Sequence, residues 1–183
     1  MKPSKKSKSE NSIDAMSADD ALVILRTLAQ EDINIAKRIE QLAMDDLSDV
    51  DIDVVAEEVC WALDDLEVEE VWNRSGSTRD GYMDPIDVAY EMFEEALAPF
   101  ATELKKCRKL SLFEQEKSHC MGILKGIYKF DRESASQYKD WAADAPSEYF
   151  SITLDDWNAH CKKPKYRKEM EAFIKKNFPD WEN

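Results

Sequence analysis

Apolar residues recur at intervals of three and four along most of the chain, the spacing that gathers them on one face of a helix. Leu22, Leu25 and Leu28 mark a first helix, opened by Ser17 with Asp20 three residues on. Asp32 starts a second through Ile35, Ile39 and Leu42. Ser48 or Asp51 starts a third, whose inner face is Val55, Val59, Ala62, Leu63 and Leu66. Asp84 and Pro85 form a strong start signal: Asp accepts from exposed helix N–H groups, and Pro suits the first helical position, where its missing N–H would have had no partner. That helix turns Ile86, Ala89, Tyr90, Phe93, Ala96 and Leu97 inward, and Pro99 either kinks it or begins another carrying Phe100, Leu104 and Cys107. Ser111 with Glu114 reads as a capping box for a helix reaching Phe130. Ser134 and Gln137 open a short one, Asp144 to Pro146 one with Phe150, Leu154 and Trp157, and Pro164 the last, with Tyr166, Met170, Phe173 and Ile174.

Roughly eight or nine helices with short connections, and no sustained strand alternation, predict an all-α fold. Short connections force antiparallel neighbours, so the expected architecture is a row of helical hairpins in a solenoid-like repeat, with a closed helical bundle as the alternative. Residues 1–16 read as a disordered Lys/Ser-rich tail, 17–161 as the helical-repeat domain, and 162–183 as a basic C-terminal helix packing on or capping it. Two of the four glycines, Gly122 and Gly126, fall one turn apart inside a predicted helix. Each costs a helix about 1 kcal/mol against alanine, and the expected return is close approach of a neighbouring helix.

The other two glycines, Gly76 and Gly81, lie in "VWNRSGSTRDGYMDP" at 71–85. Four residues separate them, as in a phosphate-binding loop, yet Tyr82 and Met83 stand where Lys and Ser or Thr should follow, and no strand is predicted before them. The stretch reads instead as a structural corner. Gly76 and Gly81 supply backbone freedom, Arg74 and Arg79 can pair with the carboxylates just upstream, Trp72 and Tyr82 would anchor the ends in the core, and Asp84-Pro85 restarts the helix.

Charge sharpens the picture. The net charge of −14 favours a basic partner and opposes nonspecific binding to nucleic acid or anionic membrane. It is unevenly spread: residues 14–71 hold 18 acidic and 3 basic side chains, while 162–183 hold 4 and 7. An acidic part is followed by a basic end. Four cysteines without CxxC spacing, and no apolar run of signal-peptide or membrane-span length, predict reduced thiols and a cytoplasmic protein.

Candidate chemistry is sparse. His119-Cys120 and His160-Cys161 offer zinc-type ligands, but adjacent helical residues point about 100° apart and ordinary zinc spacing is missing, so no metal site and no cofactor are expected. Glu67 with Glu70, and Glu91 with Glu94, have the ExxE spacing by which all-α pyrophosphatases hold Mg²⁺. A Mg²⁺-dependent nucleotide (pyro)phosphohydrolase is therefore the rival reading, although 39 acidic residues produce such spacings by chance. No catalytic residue can be named.

The third helix is more informative. Glu57, Trp61 and Asp65 are spaced by four, with Glu58 and Asp64 beside them, so a tryptophan stands on an acidic stripe. Either a second neighbouring helix covers Trp61, or Glu57, Trp61, Asp64 and Asp65 are a docking face for a basic protein segment. The second alternative makes the protein an interaction or scaffold module with an acidic docking face and no catalytic activity.

"WNRSGSTRDGYMDP", "EEALAPF", "GILKGIY" and "DWAADAP", in that order, resemble an uncharacterised family of prokaryotic all-helical proteins, itself similar to the helical region that accompanies SWIM-type zinc fingers. The resemblance covers 22–157 and is most specific at the corner. It implies a helical-repeat fold and no established activity. The zinc-finger motif, CxC followed by CxH, is absent, so the resemblance carries over neither zinc nor DNA binding.

Overall fold

The computed structural model describes residues 16–46, 50–78 and 81–181 and is mostly helical. The chain divides into two units, Met1–Ser48 and Asp49–Asn183. All but one residue of the expected 1–16 tail lies outside the described residues.

The first unit holds α1 (Ala18–Glu31) and α2 (Ile33–Asp46), packed on one another. Ser17 caps α1 as the sequence predicts, accepting from the Asp20 N–H at 3.2 Å and donating to its carboxylate at 2.6 Å. Asp32 serves both helices: its N–H donates to the Leu28 carbonyl and its side chain accepts from the Asn34 N–H at 2.7 Å. No residue of α1 is buried, and Leu22, Leu25 and Leu28 are all exposed.

The second unit runs α3 (Ile52–Asp64), α4 (Val68–Arg74), β1 (Gly76–Thr78), β2 (Gly81–Met83), α5 (Pro85–Lys109), α6 (Phe113–Glu133), a 3₁₀ turn (Gln137–Asp140), α7 (Ala145–His160) and α8 (Pro164–Asn177). Helix α6 is the common neighbour of α3, α5, α7 and α8. It brings Cys120, Leu124, Ile127 and Phe130 to the core, where they meet Val59, Leu63, Phe93 and Trp157. Tyr138 enters from the 3₁₀ turn and donates its hydroxyl to the Ala89 carbonyl. The basic C-terminal part belongs to this core: Met170 of α8 is buried, and so is Phe178, packed against Tyr128, Phe150 and Phe173.

The closest helix packing explains the two helical glycines. A Cβ on Gly122 would stand 2.6 Å from the Val55 Cβ, and one on Gly126 would stand 2.5 Å from the Val59 Cβ and 2.6 Å from the Ala56 carbonyl oxygen. Only hydrogen fits there, so α3 and α6 approach backbone to backbone. Ion pairs flank the seam at matching one-turn intervals: Lys125 with Asp53 at 2.5 Å, and Lys129 with Glu57. Beyond them the Ser134 hydroxyl donates to Asp64.

Three expectations need correction, and one open alternative is decided. The corner contains a small antiparallel hairpin, Gly76 opposite Met83, Ser77 opposite Tyr82 and Thr78 opposite Gly81, where the sequence predicts no strand. Three-residue strands are too short to show alternation. Ser111 is no N-cap. It has a φ of +60°, its N–H donates to the Arg108 carbonyl, and the Leu112 N–H reaches back to the Cys107 carbonyl. That pair of bonds is a Schellman ending of α5, so α6 starts after Leu112 without a side-chain cap. Of the two expectations for Pro99, a kink or a new helix, the second does not hold, since the helix continues from Pro85 to Lys109. Ile86, expected inside, is 55% exposed because it sits in the first turn of α5 beside the solvent-facing hairpin.

These contacts set the stability of two variants. Gly126→Ala gains about 1 kcal/mol of helix propensity but forces α3 outward, so unfolding should show a net loss of about 1–3 kcal/mol. Ser111→Gly removes a side chain from a left-handed position and should raise stability by about 1 kcal/mol in denaturant titration.

Candidate functional site

The outer side of α3 is where the fold leaves chemistry unspent. Residues 51–71 include nine acidic side chains and no basic one. Asp51 caps the helix, accepting from the N–H groups of Asp53 and Val54 at 2.8 and 3.3 Å. The inward face, Val55, Val59 and Leu63, is buried as predicted, while Ala62 and Leu66 reach only half burial. Within the second unit, Trp61 is 64% exposed among the described residues.

The structure separates the predicted docking residues into two groups. Glu57 is half-buried and pairs with Lys129, whose ammonium it holds more firmly protonated. Asp64 accepts from the Ser134 hydroxyl and lies 3.9 Å from the Cys60 thiol. Both therefore fasten α3 to its surroundings. Trp61 and Asp65 remain on the open face, joined by Glu58 and by Val54, which is 53% exposed. Positions 54, 58, 61 and 65 are separated by four, three and four residues, so they run as one stripe along the helix. Among the described residues neither Glu58 nor Asp65 makes a side-chain bond. The sequence places Glu58 beside this face, but spacing by four from Trp61 passes over Val54, and nothing in the sequence marks Lys129 as the partner of Glu57.

Arg74 donates to Glu70 at 2.6 Å and to Glu95 of α5 at 2.6 Å, bridging the end of α4 to the next helix. Gly76 and Gly81 have φ of +96° and +134°, conformations that a side chain disfavours. Asp84 accepts from the Ile86 N–H at 2.9 Å with Pro85 at the first helical position. Two anchors do not hold: Tyr82 is 71% exposed, and Trp72 is 55% exposed, packing edge-on against Trp141 with ring centroids 4.8 Å apart instead of entering the core. Tyr82 stands on a hairpin too short to have a layer above it, while Trp72 lies on the exposed side of α4. Arg79 lies outside the described residues.

Of the ExxE carboxylates, two are engaged. Glu70 is bonded to Arg74, and Glu94 accepts from the Tyr149 hydroxyl at 3.3 Å. All four cysteines are buried and free. Burial pushes the thiols of Cys60, Cys107 and Cys120 up, which disfavours the thiolate that a metal would need. Among the described residues no group of three or more His, Cys, Asp or Glu side chains could hold a metal ion, and no helix is long and apolar enough to cross a membrane. A buried carboxylate that the sequence did not reveal, Glu116, bonds Arg108 at 2.8 Å, and Arg108 continues to Asp156 at 2.9 Å. A cleft of about 370 Å³ between α5 and α7 has an apolar floor of Leu97, Leu104 and Ile123. The carboxylates at its rim, Glu94 and Asp156, are the ones already bonded to Tyr149 and Arg108.

Comparison with family models, curated proteins and solved structures gave no match. The functional reading therefore rests on the residues themselves.

Gly81→Ala tests the corner. A Cβ there meets no neighbour, so the only penalty is the backbone conformation, and stability should fall by about 1–2 kcal/mol. Thermal melting measures it. Micromolar binding of ATP or GTP, lost in Arg79→Ala, would instead restore the phosphate-loop reading.

Proposed function

We propose that the protein is an interaction module whose acidic docking face, on the outer side of α3, receives a basic protein segment bearing an apolar anchor. The exposed Trp61 carries this reading. An indole left in water between Glu58 and Asp65 is an unusual use of the residue most often found at binding hot spots. The acidic surround would speed and steer encounter with a basic partner, and the ring would set how slowly it leaves.

The packing supports a rigid platform for such a face. In a row of repeats each hairpin touches only its neighbours, whereas α6 touches four other helices. A closed bundle around α6 accounts for this better than a solenoid. Four buried free thiols fit a reducing compartment, in keeping with a cytoplasmic setting.

The test is Trp61→Ala. It should change unfolding free energy by less than about 0.5 kcal/mol, as a surface site does. A partner captured from the native host by cross-linking and then purified should bind that variant more weakly by ~2 kcal/mol or more. A stability loss of about 3–5 kcal/mol would mean that Trp61 is packed in the core and would end the proposal.

A further inference from the structure

The basic segment that matches this stripe most closely is on the same chain. Helix α8 turns Met170, Phe173 and Ile174 toward its own unit and leaves Lys168, Ala172 and Lys175 exposed on the opposite side. Among the described residues neither Lys168 nor Lys175 makes a hydrogen bond or ion pair. Their spacing equals that of Glu58 and Asp65: seven residues, or about 10.5 Å of helix rise.

The residue between them fixes the direction. Trp61 comes three after Glu58 and four before Asp65, whereas Ala172 comes four after Lys168 and three before Lys175. Run antiparallel, the helices set Glu58 against Lys175, Trp61 against Ala172 and Asp65 against Lys168. Run parallel, with the same charges matched, Trp61 would face Glu171. We infer that the exposed stripe of α3 docks antiparallel on α8 of a second copy of this chain, with Trp61 seated over Ala172 between two lysines. Alanine leaves room for the indole, and the lysine stems and ammonium groups can cover its face.

This inference rests on the docking reading above and names its partner. The two faces are different patches of one chain, so the contact is head-to-tail and leaves a free acidic face at one end and a free basic face at the other. Such an interface closes into a ring or extends as a filament. The uneven charge of the chain, acidic through α3 and basic in 162–183, gives the contact its sign.

Sedimentation of the full-length protein is the experiment. At about 100 µM and low salt the wild type should exceed the monomer mass, and added salt should reduce it. Glu58→Lys with Asp65→Lys, and separately Lys168→Glu with Lys175→Glu, should each weaken association at least about ten-fold. Mixed in equal amounts, the two variants should associate again, since each reversed face meets its opposite on the other. All four positions are exposed, and if one pair of changes spoils the circular dichroism spectrum, the other pair alone is decisive. A monomeric wild type, double variants that associate like the wild type, or a mixture that stays monomeric would each overturn the inference. If self-association fails while Trp61→Ala still loses the captured partner, only the second copy is excluded as occupant. If neither is seen, the docking reading falls as well.

Discussion

The second unit depends on the contact between α3 and α6, where two glycines one turn apart let backbones meet. Gly122 and Gly126 leave no space for a methyl group against Val55, Val59 and the Ala56 carbonyl. Glycine weakens α6 as an isolated helix, so tertiary packing must more than offset that loss. Once α3 is seated, its inward row joins the core that α5, α7 and α8 complete around α6. The same seating fixes what α3 shows to solvent. A wider spacing between the helices would let α3 roll, and the direction of Trp61 would no longer be determined.

The acids of α3 divide according to their distance from that seam. Asp53, Glu57 and Asp64 lie where α6 and its continuation can reach them, and Lys125, Lys129 and Ser134 do so. Ion pairs this exposed add little to stability. Their effect is on register, since matched one-turn spacing on both helices opposes sliding. Glu58 and Asp65 lie a third of a turn further round, beyond the reach of those groups. Their charges are therefore directed outward by the geometry that satisfies their neighbours.

Much of this was legible in the sequence because it is local. Ser17, Asp51 and Asp84-Pro85 act on N–H groups two or three residues away, and the buried faces follow helical periodicity, so the helix starts and most core residues could be read directly. The helical glycines were also readable, as a cost that only close packing repays. What escaped was long-range or conformational. Nothing local says that Lys129 will take Glu57 from 72 residues away, or that Glu116 will be buried against Arg108. Ser111 misled because a serine three residues before a glutamate looks the same whether it begins one helix or ends another in a left-handed turn. Trp72 and Tyr82 misled because aromatic character suggests burial, whereas Tyr82 stands on a hairpin too small to have an inside and Trp72 on the exposed side of a short helix.

The two ends of the second unit make opposite use of charge. On α3, carboxylates surround an exposed aromatic ring. At the start of α8, ammonium groups surround aromatic rings that are already engaged: Lys163, just before the helix, lies 4.9 Å from the Phe113 ring centroid and 5.1 Å from that of Tyr166, and Lys117 of α6 lies over Tyr166 while pairing with Glu169. Those lysines face the body of the protein and are satisfied by it. Lys168 and Lys175 are exposed on the other side of α8 and make no ion pair among the described residues. A helix that resolves its charges on one side and leaves them open on the other is asymmetric in the same sense as α3. In both helices the open side is the one turned away from the core, where a second molecule can complete it.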